Sequence, residues 1–169
     1  MEMDKLDNKL VLSELENRFR GSFVVLGEPH GLLTVSVEED IITDFLVFVK
    51  DHPKLRFNYL TDITAVHYPT EEKDFCVVYH VHNMLHNVRL RIKVFIAGPM
   101  PTIPSATSLW NGANWMERET YDFFGIVFEG HPDLRRILNM DELDVFPMRK
   151  EYPLEDPNRV DKKDFYFGR

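Results

Sequence analysis

"KDFCVVYHVHNMLHNVRLRIKVFIAG", residues 73 to 98, decides the fold. In its second half Val88, Leu90, Ile92, Val94 and Ile96 alternate with Arg89, Arg91, Lys93 and Phe95. Side chains along a strand point to opposite faces in turn, so this period of two gives one apolar and one cationic face. The apolar run before it and the stretch from Asn83 to Asn87, bounded by asparagines, make the pair a hairpin. A sheet with one apolar face needs a cover, and helices on that face give an α+β architecture built on an antiparallel sheet.

Upstream, "DKLDNKLVLSELENRFRG" (residues 4 to 21) spaces Leu12, Leu15 and Phe19 for an amphipathic helix that Gly21 stops. "SFVVLGEPHGLLTVSVE" reads as two strands around a Pro-His-Gly turn. "EDIITDFLVFVKDHP" is a second helix, ended before Pro53, with Ile41, Phe45, Phe48 and Val49 on its apolar face. "KLRFNYLTDITAVHYP" is a strand. Downstream, a third helix runs from about Asn111 to Phe124 and ends at Gly125. Beyond it no period persists, prolines recur at 132, 147, 153 and 157, and aromatic residues are frequent. Residues 1–125 therefore form a compact α+β domain, and residues 126–169 an extended C-terminal segment that needs a partner surface to lie on.

Bulk properties narrow the function classes. At 169 residues the chain is long enough for one domain with a core of its own. The net charge of −8, with no concentrated basic run, opposes a phosphate backbone, so no nucleic acid is expected. One cysteine, Cys76, permits neither an internal disulfide nor a cysteine-based cluster, and its apolar setting suits a buried thiol. The N-terminus has no apolar signal core. The charge-free stretch from Val94 to Met116 contains Pro99, Pro101 and Pro104, whose backbone breaks are too costly in lipid. Membrane association is expected only through a partner.

Several groups invite chemistry. His80 and His82 share a strand face, as metal ligands would, and His86 follows in the turn, but the neighbouring strand sets Arg89, Arg91 and Lys93 on that face. Those cations favour a polar, exposed or partner-facing sheet surface over a metal site. In "NWMERETYDFFGI" (residues 114 to 126) Glu119 and Asp122 lie three apart, as acid–base carboxylates could. No phosphate loop or activated nucleophile accompanies them, and Arg118 can pair with Asp122. These anions sit toward the helix C-terminus, where the macrodipole disfavours them. Arg135 and Arg136 could fold back to compensate, or the cations could come from a neighbouring protein. Trp110, Trp115, Phe123 and Phe124 suit either interface anchors or core. "FPMRKEYP", residues 146 to 153, carries Arg149, Lys150 and Tyr152 among rigid prolines and suits a contact with an acidic partner.

Two of these stretches resemble a known family. "ERETYDFFGIVFEGHPDLRRIL" (residues 117 to 138) is similar to the signature of the C-type subunit of the respiratory NADH–quinone oxidoreductase, complex I. The matching features are the Glu-Arg-Glu triplet, Asp122 with its aromatic pair, His131, and Arg135 with the aliphatic pair that follows. "FPMRKEYPLED" resembles the family's Pro-Leu-Arg-Lys-Asp-Tyr-Pro segment, from which Met148 and Glu151 depart conservatively. The "VVYHVHN" hairpin is also like the family's. The resemblance covers roughly residues 20 to 157, most specifically in its C-terminal half.

The resemblance implies an assembly subunit of the peripheral arm, supporting electron transfer from NADH to quinone with no catalytic activity in the isolated chain. FMN, iron–sulfur clusters and quinone would reside in neighbouring subunits, with no cofactor or metal bound by this chain. The implied neighbours are the subunit like the hydrogenase large subunit and the quinone-proximal iron–sulfur subunit. The implied location is the cytoplasmic face of the bacterial inner membrane. Glu117, Arg118, Glu119, Asp122, His131, Arg135, Arg136, Arg149, Lys150 and Tyr152 are the expected interface or structural-network residues. Related subunits serve membrane-bound hydrogenases and plastid-type ferredoxin–plastoquinone complexes, which are the alternatives. A carboxylate-dependent enzyme acting alone is the reading from another class. The final "DKKDFYFGR" lies beyond the matched motif and suggests a docking tail.

Overall fold

A computed structural model describes residues 6–152. The suggested tail and the end of the proline-rich segment lie outside the described residues. The chain runs through α1 (Asn8–Phe19), β1 (Phe23–Gly27), β2 (Leu33–Val37), α2 (Ile42–Asp51), β3 (Tyr59–His67), β4 (Phe75–Asn83) and β5 (Val88–Ile96). It continues through β6 (Thr102–Pro104), α3 (Ala113–Phe124) and β7 (Val127–Glu129). The Asp7 carboxylate caps α1 by accepting from the Leu10 N–H at 2.8 Å.

The α+β class holds, and the hairpin lies where the alternation sets it. The central sheet has the order β1-β2-β5-β4-β3. Antiparallel pairing joins β1 to β2, β3 to β4 and β4 to β5, but β2 and β5 run parallel, so the sheet is mixed. The cause is the connection through α2. It carries the chain from β2 to the far edge, where β3 starts in the same direction as β2. The meander β3–β4–β5 then returns β5, its third strand, alongside β2.

Leu33, Val35 and Val37 share the inner face with Leu90, Ile92 and Val94, and with Val77, Tyr79 and Val81, all buried. Val11, Leu15 and Phe19 of α1 and Ile42, Phe45, Leu46 and Val49 of α2 close over this face. The apolar face of α2 is thus rotated from the expected set. A 3-10 turn over Glu39–Ile41 precedes the helix, so Ile41 and Phe48 pack at the margin. Phe48 stands edge-on to Phe19 at 5.3 Å. No helix among the described residues is long and apolar enough to cross a membrane.

Helix α3 packs beside β3, where the Thr120 hydroxyl donates to the Ile63 carbonyl at 3.2 Å. The segment after Gly125 joins the same core. Ile126 and Phe128 are buried in it, and β7 pairs in parallel with β6.

Candidate functional site: the α3 carboxylates and the segment that folds onto them

The residues singled out around α3 separate into an internal network and an exposed set. Asp122 is fully buried and Glu119 is exposed at the helix surface, and they share no hydrogen-bond partner, so the two do not form a working carboxylate pair. Asp122 instead organises the chain that follows it. Its Oδ2 accepts from the backbone N–H groups of Ile137, Leu138 and Asn139 at 3.1, 2.8 and 2.9 Å. Its Oδ1 accepts from Arg136 Nη1 at 2.8 Å and from the Asn139 side-chain amide at 3.1 Å. Burial pushes this carboxyl up, but the donors from Asn139, Leu138, Arg136 and Ile137 together outweigh it. They hold Asp122 well below the usual carboxylate range.

Arg136 is the returning cation that the acidic helix end requires. Besides Asp122 it donates to the carbonyls of Leu143 and Val145 at 2.6 and 3.0 Å, and its guanidinium lies over the Phe146 ring at 5.1 Å. Arg135 does not return. It is exposed and pairs with Asp133 at 2.9 Å. Arg118 does not pair with Asp122 either. It donates to the carbonyls of Arg135 and Arg136 at 3.1 and 2.9 Å, tying the same loop to the helix from outside. His131 accepts from the Asp133 N–H through Nδ1 at 3.0 Å, which leaves Nε2 as the donor to the Asn114 carbonyl at 3.0 Å.

A second clasp follows. Gly125 ends α3 at φ +73, and a Cβ there would stand 2.5 Å from the Phe146 ring and 2.6 Å from Arg149 Nη2. Only glycine permits both the left-handed turn and this approach. Arg149 donates to the last helix carbonyl, Phe124 O, at 2.7 Å, and its guanidinium lies between the rings of Phe75 and Phe146. A cation is favourable at that end of a helix. The Met148 N–H donates to the Phe123 carbonyl, and the Lys150 N–H donates to His67 Nδ1 at 2.9 Å. Lys150 and Tyr152 remain exposed.

Glu117 belongs to neither clasp. It is fully buried and accepts from the Ser105 hydroxyl and the Ala106 N–H, both at 2.6 Å, without a cation. Burial pushes its carboxyl up to about 7, against the two hydrogen bonds. Trp110 is core, whereas Trp115 is 59% exposed. Leu138, Met140 and Met148 are likewise at least half exposed beside the clasps.

The sheet histidines sit as the register requires. His80 faces Arg91 and His82 faces Arg89, and Arg91 Nε donates to His80 Nε2 at 2.8 Å. Among the described residues no group of three or more His, Cys, Asp or Glu is placed to hold a metal ion. Cys76 is buried, and burial pushes its thiol up to about 11. Sequence reading missed Ser105, Ala106, Asn139, His67 and Phe146. Their parts are played by backbone groups or by ordinary side chains far along the chain, which no spacing marks.

Comparison with known proteins agrees with this geometry. The family described as "Respiratory-chain NADH dehydrogenase, 30 Kd subunit" matches residues 35–158, which include both clasps. A protein of Citrifermentans bemidjiense, named as the C-type subunit of NADH-quinone oxidoreductase, is 41% identical, over 90% of this chain and 94% of its own length. One of Rhizobium meliloti, named as the second such subunit of that organism, is 43% identical over 85% of this chain and 78% of its own. Among solved structures, the trypsin-resistant fragment of Nqo5 superposes with a TM-score of 0.65 at 32% identity, covering 75% of this chain and 98% of that one. A chain of the archaeal membrane-bound sulfane sulfur reductase shares the fold, with a TM-score of 0.73 at 24% identity over 92% of this chain and 95% of that one. The chain belongs to the family of the 30 kDa subunit of respiratory-chain NADH dehydrogenase.

Proposed function

We propose that this chain is a structural subunit of the peripheral arm of a proton-translocating NADH–quinone oxidoreductase, binding no redox group itself and holding cofactor-bearing neighbours in register. The observation that carries the reading is the pairing of a rigid interior with an apolar exterior around α3. Asp122, Arg136 and Arg149 fix residues 131–152 by charge-assisted hydrogen bonds. The segment so fixed, with α3, displays Trp115, Leu138, Met140 and Met148 to solvent. Exposed apolar side chains on a preorganised frame suit association, because little ordering cost remains to be met on binding.

In this reading the flavin, the iron–sulfur clusters and the quinone site lie in neighbouring subunits. The nearest are the subunit like the hydrogenase large subunit and the quinone-proximal iron–sulfur subunit. The chain reaches the cytoplasmic face of the inner membrane through them. Electron tunnelling falls steeply with distance between centres, so a subunit with no centre of its own still governs rate by fixing their spacing.

Purification from native membranes through a tag on this chain tests the proposal. An assembly containing flavin and iron–sulfur clusters that reduces quinone with NADH is expected. An assembly that accepts electrons only from hydrogen or ferredoxin would move the chain to a related complex. A solitary protein would overturn the reading.

A further inference from the structure

The clasps account for one side of the molecule; the opposite side of the sheet is built differently. Helices α1 and α2 pack on the inner face, and the outer face carries four rows across the strands, of which the fourth, Val66, Cys76 and Phe95, is apolar. Tyr59, His82 and Arg89 form the first, Asp62, His80, Arg91 and Thr34 the second, and Thr64, Val78, Lys93 and Ser36 the third. Arg89 is exposed, Arg91, Lys93, His80 and His82 are half-buried, and Tyr59 is 51% exposed.

The charges on this face are segregated against the rest of the chain. The sequence has 28 acidic and 20 basic residues, yet within the strands Asp62 is the one acid on this face among the described residues. Asp62 pairs only with His80, at 3.8 Å. Arg89, Arg91 and Lys93 have no carboxylate at ion-pair distance among the described residues. Solvated sheet faces gain from opposite charges across strands, and here Arg91 and Arg89 face His80 and His82 in place of carboxylates. Burial first, then Arg91, pushes the His80 imidazole toward its neutral form, as a crowd of cations would. Arginine and tyrosine are also the residues that anchor protein interfaces, and the net charge of −8 argues against a nucleic-acid strand.

We infer that the outer face of the central sheet, centred on Arg89, Arg91 and Lys93, docks against a carboxylate-rich surface of a neighbouring protein chain. This rests on the proposal that the chain works inside a multi-subunit assembly, and it adds which face is covered and by what chemistry. It also gives the domain a second contact surface besides the apolar one around α3.

The test uses the native assembly purified through this chain and, beside it, the isolated full chain. Both are treated with an amine-acylating reagent and read by mass spectrometry at Lys93. Labelling roughly tenfold slower in the assembly is expected, because a buried ion pair removes the amine from solvent. A zero-length carbodiimide should join Lys93 to an aspartate or glutamate of a neighbouring chain. The double substitution Arg89→Glu with Lys93→Glu should lower recovery of the assembly by a similar factor, at moderate salt. Equal labelling of Lys93 in both states, within an assembly that does form, would overturn the docking face alone. Binding of the isolated chain to phosphatidylglycerol vesicles, abolished by the double substitution, would assign the face to a lipid surface and overturn it as well. A chain recovered without neighbours would overturn both proposals.

Discussion

Glu117 and Asp122 stand five residues apart on one helix, and both are fully buried, yet the molecule treats them in opposite ways. Asp122 is oversupplied, with three backbone N–H donors, one amide and a guanidinium. Glu117 receives one hydroxyl and one N–H. The buried hydroxyl of Tyr79 has no hydrogen-bond partner among the described residues, and burial first, then the Glu117 charge, acts to keep its proton on. The difference teaches that burial alone does not fix a carboxylate's role. The number of donors decides whether it anchors the fold as an anion or sits close to neutrality.

The largest expected effect is at the anion. Asp122→Ala should cost about 3–5 kcal/mol in unfolding free energy, because it leaves the Arg136 guanidinium without its counter-charge and frees three N–H groups. Its folded value lies below the ordinary 3.8, so its contribution is complete above that pH and is lost as pH falls further. Urea unfolding at neutral pH measures the first part. A variant within 1 kcal/mol of the parent, roughly the range of an ordinary surface change, would mean that the clasp is not what holds the loop.

Glu117 should behave inversely. Its folded value of about 7 exceeds the ordinary 4.5, so the unfolded chain releases the proton first. Stability therefore falls as pH rises from 4.5 to about 7, by roughly 3 kcal/mol, and is flat above. Glu117→Gln keeps the shape and should remove this slope. If parent and variant show the same slope over that window, Glu117 titrates like a solvated acid and the contrast with Asp122 fails.

Two smaller effects sharpen the comparison between interior and surface. Gly125→Ala should cost about 2 kcal/mol through the left-handed backbone and the collision with Phe146 and Arg149. Limited proteolysis should then cut within residues 131–152 before it cuts the sheet. Glu119→Lys should change stability by less than about 0.5 kcal/mol, since Glu119 lies at the helix surface and outside both clasps. Reduced recovery of the assembly with Glu119→Lys, beside unchanged unfolding, assigns this residue to a partner. A large loss of stability instead would return it to the interior.

The sheet hairpin was legible because alternation over β5 is a local property with a period that no tertiary contact needs to reveal. The positions of α1 and α3 were legible for the same reason, and the α2 face was misread because a 3-10 turn shifted its phase. The α3 site was half legible. A charged, aromatic helix with anions at its C-terminal end asked for a cation, and Arg136 answers it. Which arginine would answer could not be read, because Arg135 and Arg136 are adjacent and only the path of the loop turns one inward and the other to solvent.

The sequence by itself determined the α+β class, the two-faced sheet, the burial of Cys76 and the family, since each rests on local pattern or motif. Only the tertiary structure decided the parallel seam between β2 and β5, the separation of Glu119 from Asp122, and the stapling of residues 136–149 beneath α3. Those depend on backbone donors and on side chains 14 to 25 residues apart. Their meeting is set by where the chain returns in space, which no periodicity encodes.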